Sequence, residues 1–149
     1  MSAPPRYSSA RFPPYRYEPG RSPHPRRDPT GHSYRKPEPR GDVFLVGVDL
    51  FNAGFFWESH EAFEALWLKA REGSAEKLGY QGLVQIGASE LKRVLGAAGP
   101  AKALGERAIE KLRGAPSPFH GLDVRGLEAE IAARLAGSLD RQPWMRLVP

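Results

Sequence analysis

The chain has 149 residues with 15 prolines, 16 glycines, no cysteine and a formal net charge of +5. This length allows one compact domain and excludes an enzyme with separate cofactor and substrate domains. The absence of cysteine excludes disulfide bonds, thiolate metal sites, iron–sulfur clusters and cysteine nucleophiles. No run approaches the roughly 20 apolar residues that cross a bilayer, and no secretory signal segment is visible, so we expect a cytoplasmic protein that does not contact a membrane.

The first 40 residues differ from the rest in charge and in proline content. They carry nine Lys or Arg against three Asp or Glu, and ten of the 15 prolines, whereas residues 41–149 carry 13 basic against 14 acidic residues. So many prolines prevent a helix or a central strand, and the scarcity of aliphatic side chains leaves too little apolar surface to bury. We therefore predict a disordered basic tail over residues 1–41 and an α-helical domain over residues 42–149.

The tail has regularly spaced basic residues with aromatic residues between them. The basic positions are Arg6, Arg11, Arg16, Arg21, Arg26 and Lys36, and the aromatic positions are Tyr7, Phe12, Tyr15, Tyr17 and Tyr34. Positive charge with interleaved aromatics is typical of loose contact with RNA or single-stranded nucleic acid. The alternative is a solvated extension without a partner, since such composition is common in disordered tails. Weak polyanion contact by residues 1–40 is therefore one open interpretation.

Hydrophobic periodicity predicts five helices with short connections, and hence an all-α bundle of antiparallel helical hairpins. Asp42 is expected to cap the first helix, although the apolar run that follows it could also start a strand. Pro100 is expected in the first turn of the fourth helix. The chain then ends in an extended segment over residues 142–147. The predicted helices after the first cover residues 55–72, 78–95, about 100–113 and 123–139.

The second helix has an unusual pattern, because its aromatic arc also contains ionisable side chains. At 100° per residue, one arc contains Phe56, Trp67, His60, Glu64, Trp57 and Leu68. His60 and Glu64 lie four residues apart in the middle of this arc, and Glu61 borders it. The opposite side, with Glu58, Ala62 and Ala65, is predicted to face water.

Two blocks of this region resemble a small helical family described as domain of unknown function 309. The first block is Leu50-Phe51-Asn52-Ala53-Gly54 followed by the His-Glu-x-x-Glu-x-x-Trp pattern that begins at His60. The second block is Tyr80-Gln81-Gly82-Leu83-Val84-Gln85. The resemblance covers about residues 42–115 and implies a compact α-helical domain with a suspected site on the His60 helix. The family has no established activity, so the resemblance implies no reaction.

Three interpretations of the His60 helix remain open. In the first, His60 and Glu64 bind one metal ion and Glu61 is a general base, although the zinc-peptidase pattern has histidine where Glu64 stands. In the second, His60 and Glu64 form a hydrogen-bonded structural pair completed by Gln81 or Gln85. In the third, the cluster anchors a small ligand in an aromatic pocket. The candidate ligand-binding residues are Trp57, His60, Glu61, Glu64, Trp67, Gln81 and Gln85.

These interpretations lead to two hypotheses of function. The first is a non-catalytic helical module that binds a partner protein or a small molecule and needs no cofactor. The alternative is a metal-dependent hydrolase that uses His60, Glu61 and Glu64. Exposure separates chemistry from a structural role: a carboxylate–histidine pair that opens into a cavity favours chemistry, and a fully enclosed pair favours a structural role.

Overall fold

A computed structural model of the chain describes residues 3–25 and 42–149. Within these ranges there is no β-strand, and two isolated bridges join Phe119 to Leu122 and Leu122 to Leu147. No helix of the described ranges is long and apolar enough to cross a membrane. The predicted all-α fold class is confirmed. The five helices are α1 Val43–Asn52, α2 Phe56–Lys69, α3 Ala75–Val94, α4 Ala98–Arg113 and α5 Val124–Leu135.

Each helix packs against the next one along the chain, and glycines allow two of these contacts to be close. A Cβ atom at Gly82 of α3 would lie 2.6 Å from Cγ of Leu112 in α4, and one at Gly47 of α1 would lie 2.8 Å from the ring of Phe63 in α2. A larger residue would therefore force these helices apart. The largest side chains buried in the core include Phe51, Phe63, Leu83, Ile86, Leu112, Leu127 and Ile131.

The predicted start of the third helix and the predicted end of the fifth both differ from the structure. We expected Ser74 to close the second helix, but its side chain accepts a hydrogen bond from the Lys77 N–H and caps α3, which begins at Ala75. The fifth helix ends at Leu135 and not at residue 139. Gly137 adopts φ +80° there, a left-handed conformation that stops the helix.

The predicted exposure of α2 is wrong on one side. Ala62 and Glu58 are 0% exposed and Ala65 is 7% exposed, whereas Leu68 is 59% exposed. Helix α1 packs on this side, where the Ser59 hydroxyl donates to the Gly47 carbonyl at 3.0 Å. The alanines are buried because their small side chains let the two helices approach, which an apolar arc centred on aromatic residues does not reveal.

The N-terminal segment over residues 3–25 lies against the bundle. It contains no α-helix or strand, as its prolines predict. Its backbone nevertheless donates hydrogen bonds to the buried carboxylate of Asp49, from Tyr7 N and Ser8 N, each at 2.7 Å. The composition gave no sign of this docking. Arg26, Tyr34 and Lys36 of the basic and aromatic pattern lie outside the described residues.

Asn52, at the end of α1, joins the C-terminal segment to the bundle. Its amide donates to the Met145 carbonyl and its carbonyl accepts the Met145 N–H, both at 2.8 Å. The same amide nitrogen lies 3.3 Å from the Pro5 carbonyl. Asn52 is 2% exposed and Met145 is 0% exposed, so these bonds are shielded from water. One side chain therefore holds both extended segments of the chain.

Candidate functional site

The candidate site is formed by His60, Glu61 and Glu64 in the middle of α2. The helix follows a tight reversal at Gly54, which adopts φ +87°. On one side, α3 approaches closely because Gly87 has no side chain: a Cβ atom there would lie 3.6 Å from Cβ of His60. The backbone of α3 therefore forms a wall beside the histidine.

The imidazole of His60 lies between the two carboxylates. Nδ1 is 3.4 Å from Oε1 of Glu61, and Nε2 is 3.7 Å from Oε2 of Glu64. Nδ1 is buried and makes no hydrogen bond within the described residues, so the 3.4 Å contact lacks hydrogen-bond geometry. The three side chains are 27%, 19% and 34% exposed, respectively. The cluster is thus half-buried, and solvent reaches each of its members.

The donor atoms of this cluster suit a divalent metal ion. One ligand atom from each residue can be chosen so that all three lie within 4.8 Å of one another. Zinc binds imidazole nitrogen and carboxylate oxygen at about 2.0–2.1 Å, so neighbouring ligands of a tetrahedral site are about 3.4 Å apart. The separation of His60 Nδ1 from Glu61 Oε1 already has this value. The Glu64 carboxylate lies beside the other ring nitrogen, with Oε2 3.7 Å from Nε2.

Among the other predicted ligand-binding residues, two line a cleft and one packs against the N-terminal segment. Trp67 and Gln81 line a cleft of about 350 Å³ between the end of α2 and the start of α3. Lys77 also lines it, with its ammonium group 4.4 Å from the centre of the Trp67 ring. Oε1 of Gln85 is buried and makes no hydrogen bond within the described residues. The cleft therefore contains two of the seven predicted residues.

Trp57 lies at the opposite end of α2 and is covered by the N-terminal segment. Its ring packs edge-on against Tyr17 at 4.9 Å and against His24 at 5.7 Å, measured between ring centres. The structure therefore divides the predicted aromatic pocket into three parts: the His60 cluster, the Trp67 cleft and the covered Trp57.

A second histidine–carboxylate cluster joins α3 to the loop before α5. His120 Nε2 lies 3.1 Å from Glu76 Oε1 and 3.0 Å from the Tyr80 hydroxyl, which is 3.2 Å from the same carboxylate. Burial, together with the Glu76 carboxylate, raises the pKa of the Tyr80 hydroxyl well above its usual range. Sequence analysis missed this cluster because His120 and Glu76 are 44 residues apart.

Comparison with known families places the candidate site inside a matched region. Residues 44–103 match a family described as "Domain of unknown function (DUF309)". These are 60 of the chain's 149 residues. The match runs from α1 into the first turns of α4 and includes the His60 cluster and the Trp67 cleft. The predicted resemblance is confirmed over this range. No curated protein matches the chain.

The matched region contributes buried polar residues that hold segments outside it. Asp49 and Glu58 accept hydrogen bonds from the N-terminal segment, and Asn52 bonds the backbone of Met145. Sequence analysis quoted Asn52 as part of the resemblance but assigned it no role, and it did not single out Asp49. A buried carboxylate or amide on an otherwise apolar helix face is the signal that could have identified them.

Proposed function

We propose that the DUF309 domain of this chain is a non-catalytic ligand-binding module whose ligand is a divalent metal ion held by His60, Glu61 and Glu64. The observation that carries the proposal is the convergence of three ligand atoms within 4.8 Å on side chains that solvent reaches. A purely structural cluster would be enclosed, because burial protects its hydrogen bonds.

Donor chemistry and hydrogen bonding both support this proposal. The cluster supplies one imidazole and two carboxylates, which are ligand types that a divalent ion such as zinc binds. His60 Nδ1 is buried without a hydrogen bond in the described residues, and such atoms usually have a function or a ligand. A metal ion bound through this nitrogen would satisfy it. Glu61 and Glu64 would complete three ligands and leave the remaining coordination positions to water.

The test is metal binding by the full chain. The purified protein is titrated with Zn²⁺ and with Mn²⁺ by isothermal titration calorimetry, and its metal content is measured after dialysis. We expect one ion per chain. His60→Gln and Glu64→Gln should each weaken binding at least about tenfold, since changes in outer-shell partners alone cost 10–100-fold.

His120→Gln is the matched control, because His120 also contacts a carboxylate but has a single such partner, Glu76, among the described residues. It should bind metal like the parent protein. Equal affinity in the parent, His60→Gln and Glu64→Gln proteins would overturn the proposal. Absence of metal binding together with a large loss of stability in both variants would instead support a structural His60–Glu64 pair.

A second candidate function is metal-dependent hydrolysis, which the exposure of the cluster favours because a catalytic metal needs open coordination positions. Glu61 would then act as the general base. The metal-loaded protein is assayed with activated carboxylic and phosphoric esters. Turnover that disappears in Glu61→Gln, with metal affinity retained, would support this function, and no turnover above the free ion would reject it.

A further inference from the structure

The Trp67 cleft lies apart from the proposed metal site and combines a positive charge with apolar surface. Helices α2 and α3 are close at Gly87, where a Cβ atom would lie 3.6 Å from Cβ of His60. Near their connection, a cleft of about 350 Å³ lies between them. This volume is within the range of small-molecule pockets, about 300–1,000 Å³. The lining residues include Trp67, Glu72, Lys77, Leu78 and Gln81.

Lys77 holds its ammonium group at the wall of this cleft. Its side chain is only 12% exposed. Nζ lies 4.4 Å from the centre of the Trp67 ring and donates to the Ala70 carbonyl at 3.5 Å. The ring and the carbonyl dipole both attract a cation, but neither neutralises its charge. The cleft therefore contains a positioned positive charge.

The carboxylate that pairs with this ammonium group belongs to Glu72, at 2.7 Å. The Glu72 side chain is 90% exposed and lies in the turn that follows α2. An ion pair with so exposed a partner is weak, because water competes for the carboxylate and because ordering a long side chain costs entropy. A carboxylate that enters the cleft can therefore replace Glu72 as the partner of Lys77.

Gln81 adds a hydrogen-bond donor on the same face of α3. It follows Lys77 by four residues, which is about one helical turn, and both residues line the cleft. The Gln81 amide can donate to one oxygen of a carboxylate while the Lys77 ammonium donates to the other. Two donors, one of them charged, favour a carboxylate over a neutral group.

The other wall of the cleft is apolar. Trp67 and Leu78 contribute carbon surface beside the ammonium group. A ligand whose body covers this surface is stabilised by the hydrophobic effect, whereas a small ion without such a body is not. An apolar wall with a few polar groups is the usual form of a small-molecule site.

We propose that the Trp67 cleft binds a small monocarboxylate with an apolar body. The ligand carboxylate pairs with Lys77 and Gln81 in place of Glu72, and the apolar body lies against Trp67 and Leu78. The cleft is lined by none of the three proposed metal ligands. Its occupancy therefore does not depend on a metal ion.

The test uses benzoate as the probe and the full-length protein in buffer that contains EDTA, so that no metal ion can bind the probe elsewhere. Binding is followed by two-dimensional ¹H–¹⁵N nuclear magnetic resonance. Benzamide has the same ring without the charge, and acetate has the charge without the ring. We expect benzoate to bind at least about tenfold more tightly than either, because only benzoate uses both the ammonium group and the apolar wall. The largest shifts should fall within residues 67–81.

Two variants of the cleft should change the benzoate affinity in opposite directions. Lys77→Gln removes the charge and should weaken binding at least about tenfold. Glu72→Gln removes the competing carboxylate and should strengthen binding about two- to fivefold. Lys69→Gln is the matched control, because Lys69 is exposed at the end of α2 and is not among the lining residues. It should bind benzoate like the parent protein.

Circular dichroism checks the fold of each variant. Equal affinities for benzoate and benzamide would reject the proposal, as would a Lys77→Gln protein that binds like Lys69→Gln. Absence of benzoate binding by the parent and Glu72→Gln proteins would reject it as well. The substitution at Glu72 is on the surface and should leave the fold intact. An affinity of Glu72→Gln no higher than that of the parent would therefore contradict the exchange of carboxylates even if Lys77→Gln failed to fold.

Discussion

The bond between Asn52 and Met145 allows a quantitative prediction. Asn52→Ala would leave the Met145 N–H and carbonyl without their partners, in a residue that is 0% exposed. An unsatisfied buried polar group costs about 1–3 kcal/mol, and two such groups set an upper limit of about 6 kcal/mol. Water entering the space of the deleted side chain would recover part of this loss. We therefore expect Asn52→Ala to lower the free energy of unfolding by about 3 kcal/mol.

The assay is urea unfolding followed by far-ultraviolet circular dichroism. Gln142→Ala is the control, because it removes one half-buried hydrogen bond to the bundle, from the Gln142 amide to the Phe51 carbonyl at 2.7 Å, and a longer local one to the Pro143 carbonyl at 3.3 Å. This control should lose about 0.5–1.5 kcal/mol. An Asn52→Ala loss below 1 kcal/mol, or one equal to that of the control, would refute the argument that Asn52 holds the C-terminal segment.

Three further predictions concern packing, capping and pH. Gly82→Ala should lower the free energy of unfolding by about 1–3 kcal/mol, because the new Cβ would lie 2.6 Å from Leu112. Gly99→Ala is the control: a Cβ there has nothing within 4 Å and should change this free energy by less than about 0.5 kcal/mol. Chemical denaturation of both variants checks the difference. Ser74→Ala should lose about 1 kcal/mol through the missing cap of α3, measured in the same way. Burial alone would raise the pKa of Glu130, but hydrogen bonds and the neighbouring arginines hold this pKa below its usual value. The ionised Glu130 therefore stabilises the fold above the usual carboxylate pKa, and this stabilisation is lost as the pH falls through the lowered pKa. Melting temperatures recorded between about pH 5 and pH 3 should therefore fall less in Glu130→Gln than in the parent protein, and equal slopes would contradict the prediction.

The helices could be predicted from the sequence because each has its own apolar periodicity. The errors arose where a residue is compatible with two roles. Ser74 follows a glycine and could close one helix or open the next, and only the hydrogen bond to the Lys77 N–H decides between them. Glu58 looks like a solvent-facing charge on a helix, yet it is buried, and Tyr17, 41 residues earlier in the chain, donates a hydrogen bond to it.

The His60 cluster could also be predicted in part. The spacing of His60 and Glu64 places both on one helix face, and the structure brings Glu61 to the same imidazole. The wider pocket was not predictable, because periodicity assigns side chains to a face but not to a position along the neighbouring helix. Trp57 and Trp67 share a face of α2, but they lie at opposite ends of it and have different neighbours.

The two bonds of the Asn52 amide have a consequence for chain topology. Because Pro5 and Met145 both place a carbonyl within 3.3 Å of one nitrogen, the two ends of the folded chain lie side by side. A short linker could therefore join them without distorting the bundle, and new termini could be opened at Gly96, in the exposed turn between α3 and α4. Because these two segments are adjacent, a circularly permuted chain should retain the same helical fold.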